Sequence, residues 1–330
     1  MKLVSYRKEG IARIGTLVSK SSVVDLVAGA RLYYQSLGVN ENRAEAMATS
    51  LLGRDMVEFL EAGEPALALA RQVVAAAGAG GGNVVSEAIL PLSSVRLLAP
   101  VPKPGKVLGI GGNYPEIREF WPTKPKTPPI FQKARSCVIG PEEPVVLPAI
   151  SSYVQPEMEL VAVIGRTARN VARKDVWDVI AGYTIGNDLS AIDILMSNWV
   201  RRARPDIVEF GLPGEAYYNF ALAFESKSFD TFGVTGPYLV TRDEVDAQNL
   251  ELKFSHNGKV IQTGNTRDMI IKIPEMIEFI TRICTLEPGD IVFTGARGML
   301  PKLTPGDRLG HSIQGLGEFE SICVAETAAK

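Results

Sequence analysis

Apolar and polar residues alternate in short runs through the first 27 positions: KLVSYR, ARIGTLV and SVVDLV read as β-strands, separated by Lys8-Glu9-Gly10 and Lys20-Ser21-Ser22 turns. The period then changes. Arg43 to Leu60 and Glu64 to Ala77 are rich in Ala, Leu and Met with apolar residues at helical spacing, which predicts two helices. The GAGGG run from Gly78 to Gly82 ends the second and reads as a flexible linker, because no strand leads into it. From Val95 onward short β runs return, punctuated by Pro and Gly, and predict a β-rich main unit. In LELKFSHNGKVIQTG, Asn257-Gly258 between two alternating strands is the pair that a type I′ hairpin needs. Ile273, Met276, Ile277 and Ile280 mark one face of a helix with Pro274 near its start. LEPGD (286–290) and LTPGD (303–307) are matching turns that each feed a strand. The expected organisation is α+β and β-rich, with a small N-terminal α/β domain over residues 1–94 and the main domain over 95–330.

Composition narrows the function. Hydrophobic residues make up 46% and charged residues 22%, as in ordinary folded proteins, and the formal net charge of -2 supplies no basic field for nucleic acid. Cys137, Cys284 and Cys323 are odd in number and unrelated in spacing, which suits reduced thiols rather than a disulfide frame. MKLVSYRKEG carries no apolar core of a signal peptide, and no run approaches a membrane span, so a cytoplasmic chain with no membrane partner is expected.

The segment VLGIGGNYPEIREF (107–120) invites comparison with a phosphate-binding loop. Gly109, Gly111 and Gly112 match the first half of G-x-G-x-x-G, but the sixth position is Tyr114, and Pro115 and Glu116 follow where a helix should receive an anion. The turn needs another explanation. A stronger chemical signal is QPEMELVAVIG, where Glu157 and Glu159 open an apolar strand and alternation points both carboxylates to one side. A second apolar run, DVIAGYTIGNDLSAID, delivers Asp188 where a strand should end. Three clustered carboxylates repel one another unless a cation neutralises them. All-oxygen ligation with room for water and substrate suits Mg²⁺, with Mn²⁺ or Ca²⁺ as alternatives. Zinc is disfavoured, since His256 and His311 stand apart and no Cys-x-x-Cys occurs.

QPEMELVAVIG, AGYTIGNDLSAID, KSFDTFGVTGPYLVT, GNTRDMI, LEPGDIVFTG and the GNY turn occur in an order that resembles the fumarylacetoacetate hydrolase family, from about Val95 to the C-terminus. The resemblance implies a mixed β-roll core, a homodimer, a divalent cation, and action on a small anionic 2-oxo or β-dicarbonyl acid. Carried over by position, it makes Glu157, Glu159 and Asp188 the metal ligands. Lys227 becomes a catalytic lysine that stabilises an enolate beside the metal. It further implies that Tyr114, Lys133, Ser136, Thr266 and Thr294 line the substrate pocket.

The sequence departs from the family pattern at several positions. Hydrolytic members follow the Asn-Tyr turn with a histidine and a glutamate that activate water, and here the histidine position is Ile117, which cannot accept a proton. Glu116 and Glu119 remain as candidate acid-base residues. The usual Ser-Ala-Arg-Asp reads Ser190-Ala191-Ile192-Asp193, and the usual Thr-Gly-Thr-Pro reads Thr294-Gly295-Ala296-Arg297, which adds Arg297 to the candidate substrate contacts. A long stretch between Asp193 and Lys227 contains Arg201, Arg202 and Arg204, either a solvated loop or an anion-binding segment. The leading expectation is metal-dependent C–C hydrolysis through a chelated enolate. The alternatives are a histidine-independent decarboxylase, tautomerase or dehydratase, or a non-catalytic binding homologue.

Overall fold

The computed structural model describes residues 1–78, 84–119, 127–197, 200–203, 215–218 and 222–327. Its central element is a mixed sheet of 12 strands. The strand Lys2–Lys8 pairs antiparallel with Gly233–Thr241, so the sheet runs without a break from the N-terminal segment into the main unit. Gly233–Thr241 in turn pairs with Ile180–Asp188, which pairs with Met158–Ile164. The next neighbours are Ile291–Phe293, Val107–Ile110 and Ile130–Lys133. A second sheet of 5 strands carries the Glu251–His256 and Lys259–Asn265 hairpin.

Two apolar cores flank the main sheet. Met158, Leu160, Ala162 and Ile164 pack toward the side of helix Ile273–Ile283, whereas Val161 and Val163 join Leu26, Leu52, Phe59 and Leu69 of the N-terminal helices. That division follows from strand alternation, and both sides of Met158–Ile164 are buried throughout. The N-terminal helices thus cover one face and leave the site to form at strand ends.

The local turn chemistry comes out as its residues require. Asn257 and Gly258 both have positive φ, at 52° and 78°, in the hairpin turn. Gly289 and Gly306 take φ of 85° and 95° in the paired Pro-Gly turns. In each, the following aspartate bonds back across the turn: Asp290 accepts from the Glu287 amide at 2.8 Å, and Asp307 from that of Thr304 at 2.7 Å.

Two elements differ from expectation. The SVVDLV run ends as a strand at Asp25, which caps a helix over Leu26–Ser36 by accepting from the Ala28 amide at 2.8 Å. The helix expected over 43–60 is divided into Glu41–Leu52 and Met56–Ala62, because Gly53 takes a φ of 73° and Asp55 starts a new cap. Of the glycine linker, 79–82 lie outside the described residues. Among the described residues, no helix is long and apolar enough to cross a membrane.

Candidate active site

The antiparallel pair Met158–Ile164 and Ile180–Asp188 builds the site. Its register sets Met158 opposite Asn187 and Glu159 opposite Gly186, and beyond them the Asp188 amide donates to the Glu157 carbonyl at 2.9 Å. Glu157, Glu159 and Asp188 consequently offer oxygens that all lie within 4.8 Å of one another. Glu159 and Asp188 are buried, and Glu157 is partly open.

Two lysines converge on the same carboxylates. The Lys227 Nζ donates to Glu157 at 2.9 Å and to Asp188 at 2.6 Å, and lies 5.0 Å from the centre of the Phe131 ring. Lys133 is fully enclosed, with its ammonium on the other Asp188 oxygen and on the Phe232 carbonyl. Burial alone would push the Asp188 carboxyl up, but Lys133 and then Lys227 outweigh it and hold the group below the ordinary range. Burial would likewise lower the Lys227 ammonium, yet Asp188 and Glu157 keep it raised and charged. Glu159 goes the other way: burial, then the charges of Asp188 and Glu157, push its carboxyl well up. Three carboxylates against two ammonium groups leave excess negative charge, and every donor is a hard oxygen. The residues fit a divalent cation of the Mg²⁺ or Mn²⁺ type.

The Gly-Gly-Asn-Tyr turn forms the adjoining wall. Asn113 is completely buried: its amide donates to the carbonyls of Thr294 at 2.7 Å and Ile271 at 3.0 Å, and its oxygen accepts from the Ile271 amide at 2.7 Å. Gly295 must be glycine here, since its φ is 103° and a Cβ would lie 2.4 Å from that of Asn113. The Gly295 amide donates to Glu159 at 2.6 Å. The turn is therefore clamped to the strand end beside the carboxylates, and holds no phosphate cradle.

Tyr114 is buried, with its hydroxyl pushed up by burial and then by Glu159. The Arg297 guanidinium lies 6.0 Å from its ring centre and pairs with Glu116 and Asp268. Glu119, on the far end of the short helix Pro115–Arg118, is exposed, as is Ser136. The hydroxyl of Thr294 donates to the Leu160 carbonyl at 2.8 Å and that of Thr266 accepts from the Leu250 amide at 2.8 Å, so both tie backbone segments together. Of the arginine cluster, Arg201 falls in the hairpin formed by Val200–Ala203 and Glu215–Tyr218, while Arg204 lies outside the described residues.

One supporting pair escaped sequence reasoning. Asn187 accepts from the Glu157 amide at 2.8 Å and its Nδ2 lies 2.9 Å from His311 Nε2. His311 is buried, stacked at 4.5 Å on Phe319, with its imidazole pushed down to about 3 by burial. Through Asn187 it is tied to the Glu157 amide at the start of the ligand-bearing strand pair. The only sequence signal was a lone histidine in an alternating strand, 124 positions from Asn187.

Known proteins are similar to this chain in sequence and fold. The model of the fumarylacetoacetate (FAA) hydrolase C-terminal domain matches residues 106–324. The mitochondrial oxaloacetate tautomerase of Rattus norvegicus is 35% identical over 275 residues, covering 81% of this chain and 78% of its own. The maleylpyruvate hydrolase of Sphingobium sp. SYK-6, solved with manganese(II) and pyruvate, superposes with a TM-score of 0.70 at 28% identity, over 99% of this chain and 100% of that one. A 2-hydroxyhepta-2,4-diene-1,7-dioate isomerase from Mycobacterium marinum gives 0.66 at 26% identity, over 99% of each chain. With its carboxylate cluster on paired strand ends, its clamped Asn-Tyr turn and a family match spanning the whole of that site, the chain belongs to the fumarylacetoacetate hydrolase family.

Proposed function

We propose that the protein is a divalent-metal-dependent tautomerase that interconverts the keto and enol forms of a small 2-oxo dicarboxylic acid. The observation that carries this reading is a carboxylate cluster with Lys227 at its edge, next to a short helix on which Ile117 stands at the position of the water-activating histidine. Enolisation needs a proton carrier and a stabilised oxyanion, and no activated water. Similarity to the rat oxaloacetate tautomerase supports the same reaction class.

In this reading Glu157, Glu159 and Asp188 hold the cation, which supplies Lewis-acid stabilisation of negative charge on the substrate oxygen. Lys133 fixes Asp188. Lys227 presents its ammonium to the C2 oxygen. Glu116 is the proton carrier, because Glu119 faces solvent whereas Glu116 is turned toward Arg297 above Tyr114. A proton passes from C3 to the Glu116 carboxylate, the C–H electron pair becomes the C2–C3 π bond as the C2–O π pair moves onto oxygen, that oxygen takes a proton from solvent to give the enol, and Glu116 returns its proton to solvent. Thr266, Thr294 and Asn113 keep the wall in place.

C–C hydrolysis, the leading expectation from sequence, is the second reading and is favoured by the full-length likeness to maleylpyruvate hydrolase. The two are separated by incubating the protein with enol-oxaloacetate or an acylpyruvate, with Mn²⁺ or EDTA. Tautomerisation predicts metal-dependent decay of the ultraviolet band of enol-oxaloacetate without release of pyruvate from the acylpyruvate. Pyruvate release from the acylpyruvate without accelerated decay of enol-oxaloacetate assigns hydrolysis, and neither activity overturns both.

A further inference from the structure

Arg297 is unusually well seated for a residue outside the carboxylate cluster. It lies two positions beyond Gly295, whose amide holds Glu159, so its side chain leaves from the wall of the site. Its Nη1 is 2.7 Å from Asp268 and its Nη2 is 2.7 Å from Glu116. Gly264 makes the seat possible, since a Cβ there would lie 2.7 Å from both Cδ and Nη1 of the arginine. The Gln262 side-chain amide holds the Arg297 carbonyl. The strand Lys259–Asn265 thus seats the residue, Asp268 on the turn after it takes one edge of the guanidinium, and Glu116 takes the other.

Glu116 is a poor partner for that edge. One oxygen takes the ion pair, while Oε2 has no hydrogen-bond partner among the described residues although the side chain is 42% exposed. Glu116 therefore makes a single contact to the arginine, whereas a free carboxylate approaching the fork is able to accept two parallel N–H bonds. A third carboxylate cannot simply join, because Asp268 and Glu116 already outnumber the single positive charge. One of them must leave, and Glu116 stands on a helix of 4 residues.

We propose that Arg297 is the specificity-determining residue for a second, distal carboxylate of the substrate, and that Glu116 is an internal stand-in which that carboxylate displaces. The inference rests on the assignment of the cluster to 2-oxo acid chemistry. It makes the site select dicarboxylates over monocarboxylates, and it couples arrival of the second carboxylate to release of Glu116 beside Tyr114.

The test is calorimetric titration of the Mn²⁺-loaded protein with two non-reacting ligands. Oxalate presents only a chelating end, whereas 3,3-difluorooxaloacetate adds the distal carboxylate and has no proton at C3. Arg297→Ala is expected to weaken difluorooxaloacetate by roughly ten-fold or more while oxalate affinity stays within about two-fold, which also certifies an intact fold. Arg297→Lys keeps the charge without the fork and recovers part of the loss. Glu116→Gln is expected to tighten difluorooxaloacetate, because the competing charge is gone. Equal loss of both ligands in Arg297→Ala, or no loss of either, overturns the assignment of Arg297. Weaker diacid binding in Glu116→Gln overturns the exchange. If the unaltered protein binds neither ligand, the 2-oxo acid reading itself fails and the inference falls with it.

Discussion

Replacing Lys133 by methionine removes one buried positive charge while keeping most of the stem volume. The ammonium is wholly enclosed and bonds to Asp188 and the Phe232 carbonyl, so no solvent screening discounts the loss. Breaking a buried ion pair from one side costs about 3–5 kcal/mol. Two features hold the cost near the lower end: Asp188 retains Lys227 at 2.6 Å, and the Phe232 carbonyl still accepts from the Leu189 amide at 3.0 Å. A loss of about 3 kcal/mol is expected in metal-free protein. With an unfolding entropy of about 2.1 cal/mol/K per residue, a chain of 330 residues should lose about 4 °C in Tm. Divalent cation should recover more of this in the variant than it adds to the unaltered protein, because one competing positive charge has gone from Asp188. Differential scanning fluorimetry in EDTA and across a Mn²⁺ series measures both quantities. An unchanged Tm in EDTA, or equal metal increments in the two proteins, would refute the placement of Lys133 as the counter-charge of Asp188.

Three further predictions follow from the same geometry. Glu157→Gln and Asp188→Asn should each abolish Mg²⁺ or Mn²⁺ binding by calorimetry, and unchanged affinity in both would remove the metal assignment. His311 has its folded imidazole at about 3 against an ordinary 6.5, so its neutral form adds stability that is complete above pH 6.5 and is lost as the pH falls toward 3. His311→Gln should flatten that acid limb in chemical denaturation, and an unchanged slope would show that another group sets it. Asn113→Ala leaves the Thr294 carbonyl and both Ile271 backbone groups without their side-chain partners, and should cost on the order of 2–4 kcal/mol in urea unfolding; a loss below about 0.5 kcal/mol would mean that the turn is not held by its asparagine.

What could be read from sequence was local or periodic. The Asn257-Gly258 hairpin and the twin Pro-Gly turns rest on residues whose φ preferences act within four positions. The two glutamates follow from strand alternation, and Asp188 from the end of an apolar run. The Leu26–Ser36 helix was hidden because its cap, Asp25, sits inside a run that alternates like a strand. The inward turn of Lys133 and the tie of His311 to Asn187 depend on partners 55 and 124 positions away, which no period reports. Ser136 matched a family element by spacing, yet its residue ends up exposed on a three-residue turn.

The clamped turn explains why the missing histidine need not mean a lost reaction. Asn113 fixes the turn to Thr294, and the next residue, Gly295, fixes Glu159, so two consecutive backbone groups relate the acid-bearing helix to the carboxylate cluster. Glu116 thereby keeps a defined position whatever stands at 117. Its charge is compensated by Arg297, a residue introduced where the family pattern has proline, and Arg297 is in turn accommodated by the bare backbone of Gly264. The guanidinium at 297 and the isoleucine at 117 thus meet beside the same carboxylate. On the proposed reading, the site replaces a base that prepares water with a carboxylate held by Arg297, and enolisation needs a proton carrier but no activated water.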